Sequence, residues 1–213
     1  LWAQGLGLTV NGAGSVIGQI RVADLNGDNK IDATNDRMII GSSEPDWEGG
    51  MTNRFGYKGF DLSIVTFARV GGTLKSTLQG GGFVNTFQGT YNNLKAHYWT
   101  PTNQENYYPK PNANYTNTPM GSLLGYFNGT YVKIRSISLG YNLPKLVVDK
   151  IKGRSIRIYA TAEDPVILFS SYRKKFGGLD PEAAGSSSSP SVATLGVDTP
   201  STWSLVFGIN VSF

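Results

Sequence analysis

The amino-acid sequence predicts an all-β fold and, within that class, an antiparallel transmembrane β-barrel segment with long extracellular loops. Three observations predict it. Apolar residues recur with period 2, and helical spacing hardly appears. The connections between alternating segments are short and long by turns, the pattern of outer-membrane barrels with short periplasmic turns and long outer loops. The 213 residues are 12% aromatic but only 16% charged, and no run reaches the ~20 apolar residues that a membrane helix needs.

Residues 17–23 and 38–41 are short strand candidates. In residues 59–70, Phe60, Leu62, Ile64, Thr66, Ala68 and Val70 share one face, with Asp61, Ser63 and Arg69 opposite. Val132 and Ile134 precede Ile137, Leu139 and Tyr141 with a change of phase near Arg135 and Ser136, which predicts a bulge. In residues 155–162, Ile156, Ile158, Ala160 and Ala162 fall on one face. Residues 38–54 and 141–154 read as short connections, 71–128 and 164–202 as long ones.

The last segment, WSLVFGINVSF, is the most regular. Trp203, Leu205, Phe207, Ile209, Val211 and Phe213 share one face, and Ser204, Val206, Gly208, Asn210 and Ser212 share the other. Ten steps at about 3.3 Å, tilted by ~45°, span about 23 Å, close to the ~25 Å apolar band and its flanking aromatic girdles. Lipid cannot hydrogen-bond an open strand edge, so a spanning strand must belong to a closed barrel. The competing reading is the last strand of a soluble sandwich. The unbroken six-residue stripe argues against it.

Composition excludes several functions. The sequence has no Cys, which removes disulfides, thiolate metal sites and Cys nucleophiles. Its one His, His97, stands among Lys95, Tyr98 and Trp99 with no triad motif. The 19 Lys and Arg are scattered among 15 Asp and Glu, forming neither a basic patch for nucleic acid nor an acid/base pair for catalysis. We therefore expect no enzyme and no nucleic-acid partner. Gly80 to Gly82 lack the strand–helix context of a phosphate loop, and Lys145, Lys150, Lys152 and Arg154 read as a solvated turn. LWAQGLGLTV lacks the pattern of a signal peptide and a Met start, so the sequence reads as a processed chain or part of a longer one.

Two candidate sites stand out. Asp24, Asn26, Asp28 and Asp32 take positions 1, 3, 5 and 9 of an EF-hand-like loop, with the Lys30 carbonyl at 7 and Asp36 one residue late. Asn29 stands where a left-handed backbone is required and tolerates it. The expectation is one structural Ca2+; the alternative is a solvated Asx-rich turn. Tyr91, Tyr98, Trp99, Tyr107, Tyr108 and Tyr115 form an aromatic loop with Asn103, Asn106, Asn112 and Asn114. Such a loop can stack on sugars or close on peptides, or simply pack against barrel or partner.

Several stretches, in order, resemble one family. They are DLNGDNKID at Asp24, NDRMIIG at Asn35, FDLS at Phe60, YWTPTN at Tyr98, YVKIRSISLGYNLP at Tyr131, RIYA at Arg157, GLDPE at Gly178 and FGINVSF at Phe207. Together they resemble the C-terminal portion of SusC-like (SusC/RagA) TonB-dependent transporters of Bacteroidetes outer membranes. The resemblance covers most of residues 1–213 and implies a multi-pass barrel of about 22 strands around a plug. It implies a SusD-like surface lipoprotein, energy from the TonB complex through a plug these residues do not contain, and import of glycan oligomers or peptides. It adds Asp180 and Glu182 to Tyr98, Trp99, Tyr107 and Tyr108 as candidate substrate or partner contacts, and makes the stripe ending at Phe213 a membrane-insertion signal. The rival functions are a secreted calcium-stabilised carbohydrate-binding β-domain and a passive porin-like barrel.

Overall fold

The structure, a computed structural model, describes residues 16–77, 98–104, 107–110, 121–183, 185–186, 193–195 and 201–213. Among these lie strands β1 (Pro45–Tyr57), β2 (Phe60–Gly71), β3 (Thr73–Ser76), β4 (Tyr126–Asn128), β5 (Tyr131–Asn142), β6 (Ser155–Ser170), β7 (Gly185–Ser186), β8 (Ala193–Leu195) and β9 (Ser204–Ser212). Short helices α1 (Lys145–Val148) and α2 (Ser171–Phe176) join them. No described helix is long and apolar enough to cross a membrane, which leaves crossing by strands open. The chain forms two compact units.

The larger sheet runs in the order β1-β2-β5-β6-β9, every neighbour antiparallel. β1 and β2 join through Lys58 and Gly59, both at positive φ (46° and 85°), as the tight turn matching strand twist requires. β5 and β6 join through residues 143–154, which form α1 and a 3-10 turn at Asp149–Ile151, ended by left-handed Lys152. Tyr57 pairs with Phe60, Phe60 with Tyr141, and Ser155 with Ser212. Both short connections therefore lie at one end of the sheet. The long connections, residues 72–130 and 171–203, leave from the other.

The alternation of β2, β5, β6 and β9 is as the sequence predicts. The phase change near Arg135 is a register shift between Ile134 and Ser136. Three expectations are corrected. Residues 17–23 and 38–41 form no strand: no described neighbour supplies a ladder to either. Residues 45–57, expected to be mostly connection, form β1 instead: β2 supplies a complete ladder that outweighs the poor strand propensity of Gly49 and Gly50. β6 continues eight residues beyond the expected end to Ser170, passing Asp164 at φ 50° and Pro165 through a bulge opposite Arg135. A bulge accepts a residue without an N–H.

The other unit is built on a small sheet ordered β4-β3-β8-β7, with β3 parallel to β8. Leu74, Leu195, Tyr108 and Phe127 are its buried apolar residues.

Candidate functional site

Residues paired across a ladder share a face, so the register sorts the larger sheet into two surfaces. One carries Phe55 and Tyr57 from β1, Phe60, Leu62 and Ile64 from β2, Ile137, Leu139 and Tyr141 from β5, Ile156 and Ile158 from β6, and Leu205, Phe207, Ile209 and Val211 from β9. Nothing packs on much of it: Tyr57 is 71% exposed, Phe207 73% and Ile209 64%. Rings gather at its short-turn end, where Phe60 and Tyr141 lie 4.5 Å apart. Trp203 and Phe213, flanking β9, are exposed as well.

The opposite surface is polar and bonded across strands. Arg157 reaches over β5 to Asp61, its Nε donating to Oδ1 at 3.0 Å and its Nη2 to Oδ2. It passes above Gly140, where an added Cβ would meet the guanidinium at 2.4 Å. The Tyr159 ring lies over Gly208 in the same way. Thr161 Oγ1 bonds Ser138 Oγ at 2.9 Å, and Ser204 donates to Glu163 at 3.0 Å. Toward the long-connection end, Lys133 Nζ meets Asp164, Asp180 and Glu182 at 2.8, 2.7 and 2.9 Å. Arg135 Nε donates to Glu182 at 2.7 Å, and its guanidinium stacks on Phe67 at 3.8 Å.

Asp180 and Glu182, singled out as substrate or partner contacts, thus engage Lys133 and Arg135 of their own chain. Sequence reasoning missed Lys133, Arg135, Asp61 and Arg157. The one available signal was their place on the polar phase of otherwise apolar strands.

In the smaller unit, the Tyr107 hydroxyl donates to the Leu124 carbonyl at 2.8 Å, and its ring packs edge-on to Tyr108 at 4.7 Å and tilted to Phe127 at 5.9 Å. Tyr108 is buried, whereas Tyr98 keeps an exposed edge. Trp99 donates its backbone N–H to the Tyr108 carbonyl, and its ring lies against Gly18, whose φ of +80° suits glycine. Tyr98, Trp99, Tyr107 and Tyr108 are therefore brought together. Tyr91, His97, Asn106, Asn112, Asn114, Tyr115 and Gly80 to Gly82 lie outside the described residues.

In residues 24–36, Asn29 is left-handed at φ 61°, as expected. Asp24 accepts from the N–H groups of Gly27 and Asn29, Asp28 from that of Lys30, and Asp36 from those of Leu25 and Asp32. Asp32 accepts from the N–H groups of Thr34 and Asn35. The Asn35 N–H, then that of Thr34, hold its carboxyl below the usual range. Asn26 bonds Asp28 through its side chain, and Lys30 lies in the same loop. Among the described residues no three acidic or imidazole groups converge on a point fit for a metal. The oxygens of all four carboxylates are already engaged by donors of the loop itself.

No protein-family model matches the chain. It is 32% identical over 199 residues to TonB-dependent receptor P3 of Formosa agariphila, matching 90% of this chain and 18% of that one. To receptors P26 and P39 of the same organism it is 27% identical, over 79% and 92% of its length. The chain spans under a fifth of each of these relatives. Its fold matches the RagAB peptide transporter with TM-score 0.64 at 22% identity, over 87% of this chain and 19% of that one. The RagAB peptide importer in a closed-closed state gives 0.63. The paired faces, the short and long connections and these relatives identify the chain as a β-barrel segment homologous to part of the TonB-dependent receptors.

Proposed function

We propose that this segment forms part of the wall of an outer-membrane importer, with its apolar face toward lipid and its polar face toward the lumen. The observation that carries this reading is the exposed apolar face, continuous across β1, β2, β5, β6 and β9 in one register. A soluble sheet would cover such a face, since exposed apolar patches beyond a few hundred Å² mark an interaction surface. Lipid covers it without needing shape complementarity. The short connections are then periplasmic and the long ones extracellular.

The cargo is an oligosaccharide or a peptide, taken up with energy from a TonB complex and with a SusD-like lipoprotein on the outer side. The names of the relatives support TonB dependence, and those of the solved neighbours favour the peptide arm. Tyr98 and Trp99 are proposed to meet cargo or partner, with Tyr107 and Tyr108 packed behind them. The Asp24 loop is proposed to bind calcium by exchanging backbone N–H groups for the ion.

Phe207→Asp and Ile209→Asp, tested separately in the complete receptor, should abolish or sharply reduce its yield in the outer membrane, while Asn210→Asp assembles. Ser204 makes a poorer control because its hydroxyl already donates to Glu163. Equal loss from both faces would sink the assignment. A cysteine at Lys150 should react with an impermeant maleimide only after the cells are opened; labelling on intact cells would reverse the orientation.

A further inference from the structure

On the barrel reading proposed above, we infer that residues 171–183 form a fixed constriction at the outer mouth of the lumen, pinned there by Lys133. The segment starts where β6 ends, at the end of the sheet from which the long connections leave. It does not run on outward. Ser170 caps α2 by accepting from the Arg173 N–H, and Gly177 ends the helix at φ 63°. Residues 178–182 then return to the polar face of β5, where Asp180 and Glu182 meet Lys133.

The segment, at Tyr172 and Asp180, and the part of the face it meets are both buried. Tyr131 and Lys133 are only 4% and 3% exposed, although they stand on the polar surface of a sheet. Tyr172 is 1% exposed and lies against Gly178, where a Cβ would come within 2.2 Å of its ring. Asp164 adds a third carboxylate from within β6, and its left-handed backbone is strain placed where it helps hold the ammonium. A buried lysine among carboxylates is held by its partners, and removing it leaves Asp180 buried without its cation. Lys133 is thus a positioning residue: it touches no cargo, but fixes the element that cargo must pass.

The test uses the complete receptor in the outer membrane with Ile167→Cys as reporter. Ile167 is the β6 partner of Lys133 on the polar face. Two reagents are added outside intact cells, a small charged methanethiosulfonate and a maleimide on a long poly(ethylene glycol). With Lys133 or Lys133→Arg, the small reagent should react slowly and the large one not at all. With Lys133→Met, the small reagent should react about tenfold faster, as expected when a buried charge loses its partner, and the large one should enter. Equal rates with Lys133 and Lys133→Met would overturn the inference. Should Lys133→Met fail to assemble, Asp164→Asn removes the most exposed carboxylate and should give an intermediate rate; an unchanged rate there overturns it equally. Ile209→Cys reports separately on the barrel reading, because it should react only with a lipid-soluble maleimide. Reaction there with the charged reagent would break the barrel reading while leaving the pin to be judged at Ile167.

Discussion

The apolar and polar faces of the larger sheet follow different rules. Along the apolar face, on the lipid-facing reading proposed above, each residue needs only to be apolar and in phase, because its neighbour is a fluid. Phe55, Leu62, Leu139, Ala160 and Phe207 form one row across five strands with no special contact among them. On the polar face each group needs a particular partner. Arg157 is placed by Asp61, Tyr159 by the space above Gly208, and Lys133 by carboxylates from β6 and from residues 171–183. A liquid environment tolerates substitution; a bonded lining does not.

The sharpest way to break this contrast is steric. Gly208→Val and Gly140→Val place a branched side chain where Tyr159 or Arg157 now lies. Overpacking of this kind costs about 1–3 kcal/mol, whereas Leu139→Val on the opposite face should stay within about 1 kcal/mol. Unfolding of the receptor in denaturant would compare them. Equal costs would mean that the two faces are packed alike.

A smaller effect is expected in the turn between β1 and β2. Gly59 sits at φ 85° with the Asn142 carbonyl 3.0 Å from where a Cβ would be. Gly59→Ala should cost about 1 kcal/mol, read by the same unfolding measurement. Lys58→Gly, which relieves positive φ at a residue with a side chain, should leave stability unchanged or slightly raised. The reverse ranking would show that this turn does not set the register.

The smallest effects belong to the exposed Asp24 loop. Its carboxyl Asp32 is held low by backbone N–H groups, so its contribution is complete above the unfolded carboxylate range and is lost as pH falls through the lowered pKa. Cutting by an acid-active protease in residues 24–36 should therefore rise only under strongly acidic conditions. Bound calcium predicts slower tryptic cutting at Lys30 and Arg37 with the ion, reversed by a chelator and absent in Asp24→Ala with Asp28→Ala. Cutting indifferent to calcium would leave the backbone bonds as the loop's whole support.

The same contrast explains what could be read from sequence. Period 2 exposed β2, β5, β6 and β9, because an apolar stripe can be read without knowledge of its neighbours. β1 escaped notice: Gly49 and Asn53 interrupt its stripe, and only pairing with β2 makes Trp47, Met51, Phe55 and Tyr57 a face. The extension of β6 was hidden by Asp164 and Pro165, residues that normally end a strand. The polar contacts were illegible for another reason. Asp61 and Arg157 are 96 residues apart and meet through strand register, while Lys133 and Asp180 are 47 apart and meet because residues 171–183 turn back to β5. GLDPE could be recognised as a motif, but its target on β5 could not. The aromatics of residues 98–108 were legible as a group, while the packing of Tyr107 against Phe127 of β4 was not.

The central claim is that one face of this sheet meets lipid and the other does not. Single spin labels at each position from Leu205 to Val211, in the complete receptor reconstituted in a bilayer, measure it residue by residue through collision with oxygen, which partitions into lipid, and with a water-soluble nickel chelate. The account predicts a period of 2, with high oxygen collision at Leu205, Phe207, Ile209 and Val211 and low values at Val206, Gly208 and Asn210. A flat profile, or one with its maxima at Val206, Gly208 and Asn210, would contradict it.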